Sequence, residues 1–312
     1  DSLKTAFLFS GQGAQYNAMG KDFYDEYSEV REIFDTASRQ LGTDLAEICF
    51  NEDERLDETP FTQPAILTVS HAIEHILKKT LDITPDAVAG LSLGEYTALV
   101  SSGALSFLDA VPLVHQRGTL MERAVPDGEG AMAAIFGLEA DTLAQICDRI
   151  SGDSYVAIAN FNTPEQLVIS GETEGVKKAM SAATDSGAKR AIPLNVSGPF
   201  HTALLEPAGQ AFAENLDQID FNGFDLPVYS NVTADVYPDT EAIRSLLTRQ
   251  ISSPVKFEQM IRQMISDGFT TFIEVGPGKT LRSFVKSIDK SVTVKNIEKV
   301  KQLETIRKVV QS

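Results

Sequence analysis

Ser92 stands between two glycines in Gly90-Leu91-Ser92-Leu93-Gly94, a G-x-S-x-G pattern. The pattern follows the apolar run Ala87-Val88-Ala89 and leads into Glu95-Tyr96-Thr97-Ala98-Leu99-Val100, which reads as a helix. At a strand-to-helix junction this is the signature of a nucleophile elbow. A serine forced onto a tight turn stands clear of the backbone, and a glycine two positions to either side makes room for that turn. The amide of Leu93, at the start of the helix, then points to where an oxyanion would form. A short pattern also recurs by chance as a plain Gly-Ser turn. A base is what would separate the two readings.

A serine is a poor nucleophile until a base takes its proton, and the chain has four histidines. Two lie in His71-Ala72-Ile73-Glu74-His75, a literal H-x-x-E-H zinc-peptidase pattern. At 100° per residue Ile66, Val69, Ile73, Ile76 and Leu77 share one helix face. His71 and His75 fall on the other side, which predicts a solvent-facing pair and no metal site. His115 lies in a later helix, two positions from Arg117, so the two project in very different directions. His201 stands in the loop Gly198-Pro199-Phe200-His201, and loops on a rigid sheet are where catalytic groups gather. Position favours His201 over His115 as the base and leaves a structural imidazole open at either.

The elements that must position these groups are legible from periodicity. Thr5–Phe9 reads as a buried strand closed by the turn Ser10-Gly11-Gln12-Gly13, and helices are predicted around 28–41, 63–81 and 107–124. The third glycine of a dinucleotide fingerprint would fall on Tyr16, and the first glycine of a phosphate loop before Gly278 on Ile273. Both nucleotide readings fail. After the break Pro126-Asp127-Gly128-Glu129-Gly130 the texture changes. Strands at 131–136, 155–160, 166–170 and 189–194 with helices at 141–150 and 174–183 give the order βαββαβ, a ferredoxin-like unit. Beyond it, helices at 203–216, 239–250 and 255–267 accompany strands at 228–230 and 271–275. A helix through the 280s, a strand near 292–294 and a closing helix from Ile297 finish the chain. Strands alternating with helices outside the insert argue for a parallel sheet covered on both faces. The expected fold is α/β. A large α/β-hydrolase-like domain (1–127 and 198–312) surrounds a mostly parallel sheet, and a small ferredoxin-like domain (128–197) is inserted in it.

Composition narrows the function classes. Hydrophobic residues make up 43% and charged residues 23%, as in ordinary globular proteins, and no apolar run approaches a membrane span. The net charge of −17 argues against nucleic-acid binding. From Lys279 onward, however, nine Lys/Arg face three Asp/Glu, a basic segment that either receives an acidic partner or is a solvated helix face. Cys49 and Cys147 form no metal or disulfide framework, and the amino end lacks the features of a signal peptide. A cytoplasmic protein with reduced core thiols is expected.

Five motifs occur in order: Phe9-Ser10-Gly11-Gln12-Gly13, Gly90-Leu91-Ser92-Leu93-Gly94-Glu95, Gln116-Arg117-Gly118, Gly198-Pro199-Phe200-His201 and Glu274-Val275-Gly276-Pro277-Gly278. Together they resemble the malonyl-CoA:acyl carrier protein transacylases, free-standing acyltransferases of bacterial-type fatty acid synthesis. The resemblance runs from Ala6 to about Leu281. Members often carry histidine just before the nucleophile, where this chain has Leu91. By position, the resemblance makes Ser92 the nucleophile, His201 its base and the amides of Gln12 and Leu93 the oxyanion hole. The backbone carbonyl of Gln250 would orient His201, and Arg117 would hold the free carboxylate of a malonyl group. Phe200 would restrict the acyl chain, while Asn160 and Asn162 would line the cleft or cap a loop. The resemblance implies malonyl-CoA and an acidic acyl carrier protein as partners. It implies no metal or redox cofactor, coenzyme A and phosphopantetheine thioesters being substrates. A monomer is expected, with Lys189, Arg190, Arg282 and Lys286 as candidates for a basic patch at the cleft mouth. Competing readings are a serine esterase or thioesterase, which has no use for Arg117, and a non-catalytic acyl-CoA or carrier-docking module.

Overall fold

Alternation within one short strand sets the layers of the main sheet. In β1 (Lys4–Phe9), Phe7 and Phe9 enter one apolar cluster and Ala6 and Leu8 another, on opposite faces. Each fully buried Phe or Leu contributes roughly 1.5–3 kcal/mol. This is the computed structural model of the chain, and it describes residues 3–196 and 198–311. β1 lies between β2 (Ala87–Gly90) and β7 (Phe269–Val275), and β8 (Thr293–Ile297) completes a parallel sheet in the order β2-β1-β7-β8. Both faces are covered, as parallel sheets require. Phe9 pairs with Gly90, so β1 and β2 end side by side and the turn after each leaves at the same edge. Ligands of open α/β sheets bind beyond these carboxyl ends.

The inserted segment forms the second sheet. β3 (Gly130–Phe136), β4 (Val156–Thr163), β5 (Gln166–Glu172) and β6 (Arg190–Pro193) pair antiparallel in the order β4-β5-β3-β6. Helices Ala140–Ile150 and Thr173–Asp185 pack on one face, against Ala133, Ile135, Ile158 and Ile169. Met132 and Val168 join the main core on the other face. Asn160 shares the parity of Ile158, yet the two diverge because the register shifts between them, and Asn160 pairs with Val168. A bulge re-aims side chains in this way. Val255 seals the junction: its N–H donates to Ala159 O at 2.8 Å and its carbonyl accepts from Phe161 N–H at 2.9 Å. The expected domain junction at 197–198 begins at a residue outside the described ones.

Several expectations need correction. Residues 228–230 form no regular strand, because Val228 and Tyr229 make only isolated bridges, to Val88 and Val236. The closing helix is Leu303–Val310, beginning six residues after Ile297, which ends β8. Short helices at Lys21–Glu26 and Leu45–Phe50 were not expected. The helix expected from 63 runs Thr59–Leu81, since Pro60 sits in the first turn, where no N–H is needed. Pro64 leaves the carbonyl of Pro60 without a helical donor, and His115 Nδ1–H supplies one at 2.8 Å. That contact makes His115 a structural imidazole.

The H-x-x-E-H pattern also folds differently from its helical projection. His71 is half-buried and stacked on Phe107 at 4.4 Å, because helix Phe107–Glu122 packs against that side. His75 is exposed and bonded to Glu29 at 2.6 Å. Glu74 turns inward to Ser101 and Lys78, so the three side chains serve different partners.

Candidate active site

Ser92 occupies the turn between β2 and helix Gly94–Ser101 with φ 56°, in the left-handed region. A Cβ on Gly94 would lie 2.0 Å from Phe9 O, and one on Gly90 2.0 Å from the Gly94 carbonyl carbon, so no other residue fits at either position. His201 is also left-handed, at φ 60°. Non-glycine residues held there store strain that the surroundings must over-determine.

The two side chains meet. Ser92 Oγ lies 2.8 Å from His201 Nε2, and His201 Nδ1 lies 2.8 Å from the carbonyl of Gln250. A carbonyl only accepts, so Nδ1 carries the proton and Nε2 offers its lone pair to the serine hydroxyl. Gln250 belongs to the last turn of helix Ala242–Ser252, whose final carbonyls lack helical donors. His201 satisfies two of them, giving its backbone N–H to Ile251 O at 3.2 Å and its ring N–H to Gln250. The negative end of this helix stands where a hydrolase triad has a carboxylate. Burial, and then the Arg117 charge, push His201 down to about 4, so its imidazole is neutral near pH 7.

Arg117 is fully buried, on helix Phe107–Glu122. Its Nη1 donates to Gln63 Oε1 at 2.9 Å, and its Nη2 to Gln250 Oε1 at 2.9 Å and to Ser92 Oγ at 3.2 Å. The guanidinium lies over the Tyr96 ring, and Nε has no hydrogen-bond partner. Among the described residues it forms no ion pair. The buried Glu95 acts on it only through space, and a buried cation with no anion in contact is costly, so the site is suited to receive one.

The register of β1 and β2 brings the turn 10–13 against the elbow, and a Cβ on Gly11 would lie 3.4 Å from Leu93 N. Among the described residues the backbone N–H groups of Gln12 and Leu93 have no acceptor. They border a cleft of about 530 Å³ that also takes in Ser92, Arg117, Phe200 and His201. Asn160 and Asn162 line its small-sheet wall, and Asn162 Oδ1 is buried without a partner. The structure thus brings Ser92, His201, Gln12, Leu93, Arg117, Gln250, Phe200, Asn160 and Asn162 to one place.

Residues 6–310 match the family model for the acyl transferase domain. The malonyl CoA-acyl carrier protein transacylase of Bacillus subtilis is 48% identical over 311 residues, covering 99% of this chain and 97% of its own. The chain belongs to this transacylase family. Its members are acyltransferases. The crystal structure of the Clostridium perfringens member, 45% identical, superposes with a TM-score of 0.94 over 99% of this chain and 97% of its own. A malonyl-transacylase solved in complex with a type II PKS acyl-carrier protein, 37% identical, gives 0.96 over 98% and 99%. The fold is thus the family's α/β fold, with a parallel sheet and a separate antiparallel one.

Within this family member, the side chains of Gln63 and Gln250 and the whole of Asn231 escaped sequence reasoning. Gln63 is 1% exposed, its Oε1 accepting from the guanidinium and its Nε2 donating to Met121 Sδ at 3.6 Å. The basic candidates divide. Arg282 and Lys286 lie on helix Thr280–Ile288, whose Thr280, Leu281 and Phe284 line the cleft. Lys189 and Arg190 do not border it. β6 places them beside Phe136, roughly 15 Å from Leu194 at the cleft end, at about 3.3 Å per residue.

Proposed function

We propose that the chain transfers a malonyl group from malonyl-CoA to the phosphopantetheine thiol of an acyl carrier protein, through a malonyl ester of Ser92, supplying fatty acid synthesis. The observation that carries this reading is Arg117, a buried guanidinium with no acid in direct contact, 3.2 Å from the hydroxyl that would attack. A free carboxylate on the acyl group supplies the missing anion.

In the first half-reaction His201 Nε2 takes the Ser92 proton, Oγ bonds to the thioester carbon, and the N–H groups of Gln12 and Leu93 hold the oxyanion. The C–S bond breaks, and the imidazolium returns its proton to the coenzyme A sulfur. In the second, His201 takes the proton of the carrier thiol, sulfur attacks the ester carbon, and Ser92 recovers its hydroxyl. The helix C-terminus behind Gln250 stabilises the imidazolium in both steps. Asn160 and Asn162 line the acyl-thioester channel. The carrier, as an acidic partner, meets Arg282 and Lys286 on helix Thr280–Ile288, away from its cleft-lining residues. The elbow supports an α/β-hydrolase-like reading of residues 1–127 and 198–312, and strand order β4-β5-β3-β6 a ferredoxin-like reading of 128–197. A cytoplasmic monomer accords with this role.

Intact-mass measurement after mixing with malonyl-CoA tests the proposal. One malonyl adduct per chain is expected, absent in Ser92→Ala and discharged by carrier thiol. No adduct indicates a silent docking module, and rapid loss of malonyl-CoA without the thiol indicates a thioesterase. Phe200 lines the cleft beside the base and is 6% exposed, so a branched acyl chain has little room. Phe200→Ser should raise methylmalonyl transfer relative to malonyl by about tenfold, read by acyl-CoA competition. An unchanged ratio removes Phe200 as the restricting group.

A further inference from the structure

The elbow's geometry has to be held against strain, and one buried side chain meets two of its backbone groups. Asn231 Nδ2 donates to Gly90 O at 2.7 Å, and Asn231 Oδ1 accepts from Ser92 N–H at 2.7 Å. A carbonyl only accepts and an amide N–H only donates, so this orientation of the side chain is the one that satisfies both. The same Oδ1 accepts from Gln250 Nε2 at 3.3 Å, and that nitrogen also donates to Ser92 O at 3.0 Å.

Asn231 is itself fixed from behind. Its backbone N–H donates to Glu95 Oε1 at 2.6 Å, and its carbonyl accepts from Lys256 N–H at 3.0 Å. The other oxygen of Glu95 accepts from the Tyr237 hydroxyl. Asn231 and Glu95 are fully buried and Tyr237 nearly so. None of the three lines the cleft. They therefore act through Ser92 and leave the substrate untouched.

We infer that Asn231 is the positioning residue of the elbow. Its amide holds Gly90 C=O and Ser92 N–H together, and the Glu95 carboxylate holds Asn231, so that Ser92 stays left-handed with Oγ at His201. This rests on reading Ser92 as the nucleophile. Loss of the amide frees the turn to relax, and a displacement near 1 Å at reacting atoms costs about a hundredfold in rate.

Single-turnover acylation by malonyl-CoA, followed by intact mass, separates rate from amount. Asn231→Ala should form the adduct about a hundredfold more slowly, yet reach one malonyl per chain, with KM for malonyl-CoA within about threefold. Asn231→Asp keeps the acceptor for Ser92 N–H and loses the donor to Gly90. Glu95→Gln keeps the shape and replaces one acceptor by a donor. Each should slow acylation by about tenfold at full occupancy, which preserves the test if Asn231→Ala does not fold. Wild-type rates in Asn231→Asp and Glu95→Gln overturn the inference. So does lowered occupancy at an unchanged rate, the mark of a residue that only maintains the fold. A wild-type chain with no Ser92-dependent adduct sinks the nucleophile reading itself, whereas a normal wild-type adduct with unaffected variants sinks the positioning role alone.

Discussion

His201→Ala should slow malonyl-enzyme formation by about 10²–10⁴, the range of a positioned general base, with little change in the affinity for malonyl-CoA. The imidazole contacts Ser92 and the end of helix Ala242–Ser252, while the guanidinium that would hold the acyl carboxylate stays anchored by Gln63 and Gln250. The pH profile carries a second expectation. Only neutral imidazole accepts the serine proton, so activity falls as pH drops through the pKa of His201. Burial and the Arg117 charge place that value at about 4, below the usual histidine range. In Glu95→Gln, which removes a buried carboxyl that burial raises to about 7, acylation of Ser92 by a neutral ester, in which no substrate group titrates, should therefore stay level from pH 8 to about 5 and decline below that. A decline centred near 6.5 would mean that His201 is solvated and is not the poised base of this site.

How much of the site was legible depended on whether the determining contact was local. The elbow largely was, because the glycine at 90 is demanded by Gly94 four residues on, although the one at 94 is demanded by Phe9 on the neighbouring strand. Leu93 followed from the elbow itself, whereas Gln12 came only with the resemblance, because the register that sets its turn against the elbow is a property of the paired strands. Among the histidines His201 was favoured by its loop and then by the resemblance, while the role of His115 showed only when Pro64 was seen to orphan the carbonyl of Pro60. Projection of one helix misplaced His71, since a wheel shows a face without the neighbouring helix that covers it. The aim of Asn160 was likewise hidden: strict alternation puts it with Ile158, and the bulge that separates them is a property of the pairing. Asn231 and Gln63 gave no signal, because a buried amide is distinguished from an exposed one only by what it meets in three dimensions.

Arg117→Met should collapse the preference for malonyl over acetyl by about two decades. A charge-assisted contact to the carboxylate contributes roughly 1.5–3 kcal/mol, about one to two decades in rate. A coupling to the base adds to this. The guanidinium lowers His201 beyond what burial does, and a malonyl carboxylate bound to Arg117 cancels that charge just where the proton must be taken. Acetyl brings no such charge and meets a weaker base. Removing the cation should thus cut malonyl transfer by about a hundredfold and leave acetyl transfer within a few-fold. The acid limb of the neutral-ester profile should move from about 4 toward the ordinary histidine value. Thermal stability should change little, because the desolvation cost of an unpaired buried charge is relieved while Gln63 and Gln250 each lose a donor. Competition between malonyl-CoA and acetyl-CoA, with the pH profile alongside, checks all three parts. Equal losses for both acyl groups with the limb unmoved would leave Arg117 a structural cation, and malonyl selectivity would have to come from elsewhere in the cleft.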